Sequence, residues 1–182
     1  VNGDGVRTPE IKKRFLWMWV IMDGGEKGDV SLRDTGRSSA WASRMGGSQV
    51  CLGEGEVFSF GELMHAIVVA SANEACVAGA EHMGGTVDGF VDLMNDKGQS
   101  IGLTHTRCGN VHGLDDTPAD AGNMTSARDL SRIALALIRH PQILSWSSQR
   151  SAPFRDGKFK LWATNRLLGK FRDLDGLKTG YT

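Results

Sequence analysis

Two short groups of side chains stand out by type and setting. Ser71-Ala72-Asn73 offers a hydroxyl and a carboxamide inside an otherwise apolar segment. Lys178-Thr179-Gly180 offers a cation, a second hydroxyl and a residue without a Cβ. A carboxylate is held best by a cation and hydroxyl donors on a rigid edge. A glycine beside them lets backbone approach a ligand closely. Taken singly, each group has a plainer reading. Ser71 ends one helix and Asn73 caps the next, Lys178 is a strand lysine, and Thr179-Gly180 is a turn.

Other constellations carry less. His105, Cys108 and His112 form H-x2-C-x3-H, a spacing compatible with a three-ligand zinc site, but they fall in a polar loop and read first as loop residues. Trp17 and Trp19 lie inside an apolar helical run, which makes them core residues before they are a sugar-stacking pair. Lys12-Lys13-Arg14 reads as a solvated helix end. His65, His82 and His140 are scattered on helices or their ends, as surface or packing residues.

The elements that must position these residues are partly visible. Residues 1–8 read as a Gly-rich loop. Pro9 suits the first turn of a helix, the apolar run Phe15 to Met22 continues it, and Gly24-Gly25 is expected to end it. Extended pieces such as Ser48–Leu52 follow. Ser59 and Glu62 form a capping box, after which Phe60, Leu63, Met64, Ile67 and Val68 recur at helical spacing. Further helices are expected over Glu74–Met83, from Thr86 with Val87, Phe90, Val91 and Met94 inward, and from Thr125 or Ser126 with Leu130, Ile133, Ala134, Leu137 and Ile138 inward. Residues 100–124 read as a polar loop, and Pro141 as a stop after the fourth helix. Ala152–Arg155 and Lys158–Trp162 flank Asp156-Gly157, a two-residue hairpin signal. Leu174–Thr182 reads as a further strand. Helices first and strands afterwards point to an α+β class, a helical cluster packed against an antiparallel sheet.

Composition narrows the partners. The 182 residues balance 21 basic against 21 acidic side chains, so nothing in the charge calls for nucleic acid or an anionic membrane. Three cysteines allow at most one disulfide. The longest apolar run, eight residues, is far short of the roughly 20 needed to span a bilayer.

Together and in this order, the two motifs resemble the second and third elements, S-x-N and K-T-G, of the penicillin-recognising serine enzymes, which follow an S-x-x-K. The stretches Ser39–Gln49, Gly61–Glu81, Asn110–Asp116 and Asp175–Thr182 resemble the serine D-alanyl-D-alanine carboxypeptidases among the low-molecular-mass penicillin-binding proteins. The likeness covers roughly residues 30–182. It implies one β-lactamase/transpeptidase-like catalytic domain over residues 1–182, incomplete at both ends. It also implies acyl transfer without a cofactor, and a location outside the cytoplasmic membrane. The substrate would be a peptidoglycan stem peptide ending in D-Ala-D-Ala, with β-lactams as inhibitors and any membrane contact made through segments outside this chain. By the same resemblance Ser71 relays a proton to the leaving D-alanine, Asn73 holds the substrate amide and the base, and Lys178 and Thr179 hold the terminal carboxylate. Gly180 leaves room for the substrate, and the Tyr181 N–H supplies one oxyanion-hole donor.

The first element is absent. Ungapped alignment on Pro9 places the nucleophile position at Ile11 and the general-base position at Arg14. Isoleucine has no nucleophilic atom, and arginine stays protonated at any workable pH. Neither Lys12 nor Lys13 replaces a serine. Two readings follow: a relative that binds muropeptides or β-lactams without turning them over, or, the favoured one, a corrupted or fragmentary reading of an active gene. A β-lactamase ranks lower, because no residue can be assigned as the deacylating glutamate of class A enzymes.

Overall fold

A computed structural model describes residues 5–7, 11–114 and 122–180. Its chain divides into two compact units. One comprises Val1–Val30, Ala80–Arg139 and Gly180–Thr182, the other Ser31–Gly79 and His140–Thr179.

The first unit is built on α1 (Ile11–Lys27), whose residues Phe15 through Ile21 are all buried, Trp17 completely. A helix apolar on every side has to be enclosed. α4 (Val87–Ser100), capped by the Thr86 hydroxyl, and α5 (Ala127–Leu137), capped by the Ser126 hydroxyl, enclose it. Trp17 meets Phe90 at 5.4 Å between ring centroids, and the Lys97 ammonium lies 4.4 Å from the Trp19 ring. α1 runs past Gly24-Gly25, where the sequence suggests a stop. Gly24 is there for contact: a Cβ would fall 2.9 Å from Met83 Cε and 3.2 Å from Val30 Cγ1. The Asp23–Lys27 ion pair spans the last turn, and the helix ends before Gly28, at φ 83°. The stretch read as an N-terminal loop contains β1 (Val6–Arg7), which pairs with β4 (Thr125–Ser126). Pro9 lies outside the described residues. On α5, Ile133 and Leu137 are buried as expected, but Ile138 is exposed, because the helix ends before it.

In the second unit β2 (Thr35–Arg37) pairs antiparallel with β3 (Val57–Ser59), and β3 runs directly into α2 (Phe60–Ala70). Both halves of the Ser59–Glu62 capping box form, and Phe60, Leu63, Met64, Ile67 and Val68 are buried. Residues 48–52 form no strand. α3 (Asn73–Gly84) follows Ser71-Ala72, and the division between units falls inside it. Pro141 starts a helix as well as stopping one: it is the first residue of α6 (Pro141–Ser147), with His140 before it. β5 (Ser151–Phe154) and β6 (Phe159–Trp162) form a hairpin that packs with β3 and α6 on α2. The class is α+β, with its antiparallel component in two-stranded ladders.

The hairpin connection has four residues, Arg155–Lys158, in place of the two expected. Arg155 explains the difference. It leaves the ladder with φ 52° and sends its guanidinium to Glu56 at 2.7 and 3.0 Å, to the Val50 carbonyl at 3.0 Å and to the Cys51 carbonyl at 2.6 Å. The rings of Phe154, Phe58 and Phe159 lie 5.2 to 5.6 Å from it.

Leu174–Gly180 is not laddered with any described strand. It is held by side chains. The Ser147 hydroxyl donates to the Asp175 carbonyl at 2.7 Å, and Gly176, at φ 133°, passes so close that a Cβ would sit 2.5 Å from Ser147 Oγ.

Candidate active site

Ser71, Asn73, Lys178 and Thr179 all belong to the second unit. Ser71 caps the C-terminus of α2 in the left-handed region, φ 66° and ψ 30°, with its N–H directed at the Ala66 and Ile67 carbonyls. For a residue with a Cβ this conformation costs on the order of 1–2 kcal/mol. Such strain collects where a side chain must be aimed for function. Ser71 is 4% exposed.

Asn73 opens α3 and is almost fully buried. Its N–H donates to the Ser48 carbonyl at 2.9 Å, and its carboxamide nitrogen donates to the Gly46 carbonyl at 2.8 Å. The next residue continues the pattern. Glu74 is also buried, and its Oε1 accepts from the Val50 N–H at 2.5 Å, while Oε2 is enclosed without a hydrogen-bond partner. Burial pushes this carboxyl above the usual carboxylate range, against the opposing pull of the Val50, Cys51 and Leu52 N–H groups. Asn73 and Glu74 thus staple loop 46–52 from one side, and Arg155 clamps it from the other through Val50, Cys51 and Glu56.

Lys178 is only 9% exposed. Its ammonium donates to Thr164 Oγ1 at 3.2 Å and to the Thr179 carbonyl at 3.3 Å, and the hydroxyls of Thr164 and Thr179 lie 2.6 Å apart. Thr164 ties this cluster to the S-x-N end, because its N–H donates to the carbonyl of Val69, two residues before Ser71. A cation flanked by two hydroxyls can receive a carboxylate, with hydroxyl hydrogens turning to suit it. Thr179 and Gly180 are less enclosed than Lys178.

Ile11 begins α1, and Arg14 on its first turn is 4% exposed. Both belong to the first unit. Nothing beyond the backbone is described for Ile11, and Tyr181 lies outside the described residues. His105, Cys108 and His112 do not assemble into a metal-ligand group, nor do any other described residues. His105 sits beside the Thr104 hydroxyl, Cys108 is buried with its N–H on Asn95 Oδ1, and His112 Nδ1 accepts from the Leu114 N–H. Among the described residues no helix is long and apolar enough to cross a membrane.

Sequence reasoning missed three members of this region. Thr164 sits in no motif, and its one sequence signal is a hydroxyl just past the end of an amphipathic strand. Glu74 carries no sequence signal beyond its place after the S-x-N motif, and the structure gives it a part in holding loop 46–52. Arg155 falls in the strand that the pattern predicts over Ala152–Arg155, and the structure puts it at the start of the hairpin connection.

An α+β fold with S-x-N at a helix end and K-T-G on a segment tied to it is that of the penicillin-binding proteins. Penicillin-binding protein 6B from Escherichia coli superposes with a TM-score of 0.90 at 28% identity, covering the whole chain and 58% of that protein. Penicillin-binding protein 5 from Haemophilus influenzae superposes with 0.89 at 30% identity, over the whole chain and 53% of its own. The family described as D-alanyl-D-alanine carboxypeptidase, Peptidase S11, matches residues 6–182, and the chain belongs to it. The chain is 36% identical to the D-alanyl-D-alanine carboxypeptidase DacF of Bacillus subtilis and 34% identical to DacA of Escherichia coli K12, in both cases over its full length. It spans about half the length of these relatives, 46% and 45%.

Proposed function

We propose that this chain is catalytic-domain sequence of a serine-type D-Ala-D-Ala carboxypeptidase, which removes the terminal D-alanine of peptidoglycan stem peptides outside the cytoplasmic membrane. Lys178 and Thr179, with Thr164 between them, receive the terminal carboxylate. Asn73 holds the substrate amide, and Ser71 passes a proton to the departing D-alanine. The observation that carries this reading is the Lys178–Thr164–Thr179 cluster, joined through Val69 to the Ser71-Ala72-Asn73 turn. β-Lactams, which carry a carboxylate beside a reactive amide, are the expected inhibitors.

Acyl transfer needs a serine oxygen to attack the scissile carbonyl, a base to take its proton, and water to release the acyl group. Ile11 and Arg14 supply neither nucleophile nor base. A second reading therefore follows from the sequence as it stands: this chain binds D-Ala-D-Ala peptides and β-lactams without forming an acyl-enzyme. A fluorescent penicillin separates the two. Under both readings the unaltered chain binds a D-Ala-D-Ala peptide and loses it on Lys178→Met; a covalent label is expected under the first and none under the second. No peptide binding by the unaltered chain would overturn both readings. A label on the unaltered chain would overturn the second.

A further inference from the structure

Charge balances across the whole chain, but not locally. From Arg150 to Arg172 there are seven basic residues against one acidic residue, Asp156. Part of this excess lines a cleft of about 480 Å³ in the second unit, walled by Arg150, Trp162, Asn165, Arg166 and Lys170. Among the described residues no acidic side chain lines it. None of its three cations forms an ion pair with a described residue. A solvated lysine or arginine on a convex surface calls for no ligand. Three cations around a concavity repel one another, and a bound anion relieves that repulsion.

The cleft is also shaped. Leu168 beside it is buried, whereas Trp162 is 64% exposed, an unusual position for the largest apolar side chain. The Arg150 carbonyl accepts from the Ala163 N–H at 2.9 Å, which ties the two sides together. Gly169, at φ 78°, lets the Arg150 side chain lie against the backbone, since a Cβ there would meet Arg150 Cδ at 3.0 Å and Nη1 at 3.3 Å. Asn165 spends its Oδ1 on the Leu167 N–H at 3.0 Å and keeps its amide nitrogen as a further donor.

We propose that this cleft is a second anion subsite, which holds an upstream carboxylate of the same peptide whose terminal carboxylate lies at Lys178 and Thr179. The proposal rests on the peptide-binding function given above. Continuity selects this ligand: Ala163 and Asn165 of the cleft flank Thr164, the residue that bonds to both Lys178 and Thr179. A peptide held at the Lys178 cluster would reach the cleft by running along residues 163–165. Paired guanidinium and ammonium donors suit a carboxylate, and Trp162, whose ring carries the Lys160 ammonium 4.5 Å from its centroid, leaves further apolar surface for the stem that carries it.

The test uses the full chain and two pentapeptides ending in D-Ala-D-Ala, identical except that an upstream glutamyl carboxylate is free in one and amidated in the other. Titration calorimetry at low salt is expected to show the free carboxylate binding about three- to tenfold tighter, the range for one partly solvated charge-assisted contact. R166Q combined with K170Q is expected to bring the free peptide down to the amidated one and leave the amidated one unchanged. Arg166→Lys is expected to keep most of the preference. Equal binding of the two peptides to the unaltered chain overturns the subsite and leaves the Lys178 site standing. Binding of neither overturns both. Retention on vesicles of anionic phospholipid, lost in the double variant without any peptide preference, assigns the cleft to a membrane surface and overturns the proposal.

Discussion

The S-x-N end and the K-T-G end of the candidate site are built on opposite plans. Asn73 and Glu74 are enclosed and bonded to backbone groups of loop 46–52, and Arg155 fastens the same loop from the hairpin tip. Lys178 and Thr179 belong to no ladder with a described strand, and hydroxyls of Thr164 and Ser147 hold their segment. Buried polar groups make the first end rigid but dependent on every partner, since each orphaned donor or acceptor carries its full desolvation cost. Hydroxyls can rotate, so the second end can exchange a protein partner for a ligand. Damage to the first end should therefore appear in folding as well as in binding, and damage to the second in binding with little effect on folding.

The sharpest break is expected at Arg155. Arg155→Ala removes four charge-assisted contacts and the cation above three aromatic rings. A loss of about 2–3 kcal/mol is expected, read as a lower urea midpoint. An unshifted midpoint would mean the clamp is ornamental. Asn73→Ala leaves the Gly46 carbonyl without its donor, and a loss of about 1–2 kcal/mol is expected by the same measurement. Ser71 probes strain at this end. S71G and S71A both lack the hydroxyl and differ only in Cβ, so S71G is expected to be the more stable by about 1 kcal/mol. Equal stability would show that the left-handed turn stores no strain.

The K-T-G end is expected to answer differently. Lys178→Met removes the charge but keeps an apolar stem in its place, so stability should move by no more than about 1 kcal/mol while peptide binding is lost. Thr164→Val should weaken binding with a smaller effect on folding. A large folding defect in either variant would erase the distinction between the two ends.

What could be read from sequence follows the reach of each interaction. The α2 capping box was legible because Ser59 and Glu62 are three residues apart, and α1 because its apolar run is continuous. Ser71 as a helix end and Asn73 as the next helix start were legible for the same local reason. Arg155 and Glu56 lie 99 positions apart, Glu74 and Val50 24, and Lys178 and Thr164 14. Partners that distant leave no mark on the residues beside them. The errors share this cause. Gly24 looked like a stop because Met83 was out of view, and the hairpin looked two residues long because nothing local shows Arg155 leaving the ladder. Of the strand expected over 174–182, residues 174–180 have the right composition, but a strand also needs a partner, and among the described residues none pairs with them.

The two carboxylates of the loop network, half-buried Glu56 and buried Glu74, give the finest test of the contrast, because pH drives them in opposite directions. The Arg155 guanidinium bonded to Glu56 holds that carboxyl below its usual range. The folded protein therefore binds this proton less readily than the unfolded chain, and the stability it contributes is present above the unfolded carboxylate pKa. It is lost as pH falls through the lower folded value. Burial holds Glu74 above its usual range, so the folded protein binds that proton more readily. Its stability is full below the unfolded pKa and declines as pH rises through the folded one. The unaltered chain should therefore lose stability on both sides of an optimum, measured as urea midpoint against pH. E56Q should flatten the acid side alone and E74Q the alkaline side alone. If E74Q leaves the alkaline side unchanged, Glu74 is ionised in the fold, and the enclosed Oε2 must then be a charge that the loop N–H groups sustain.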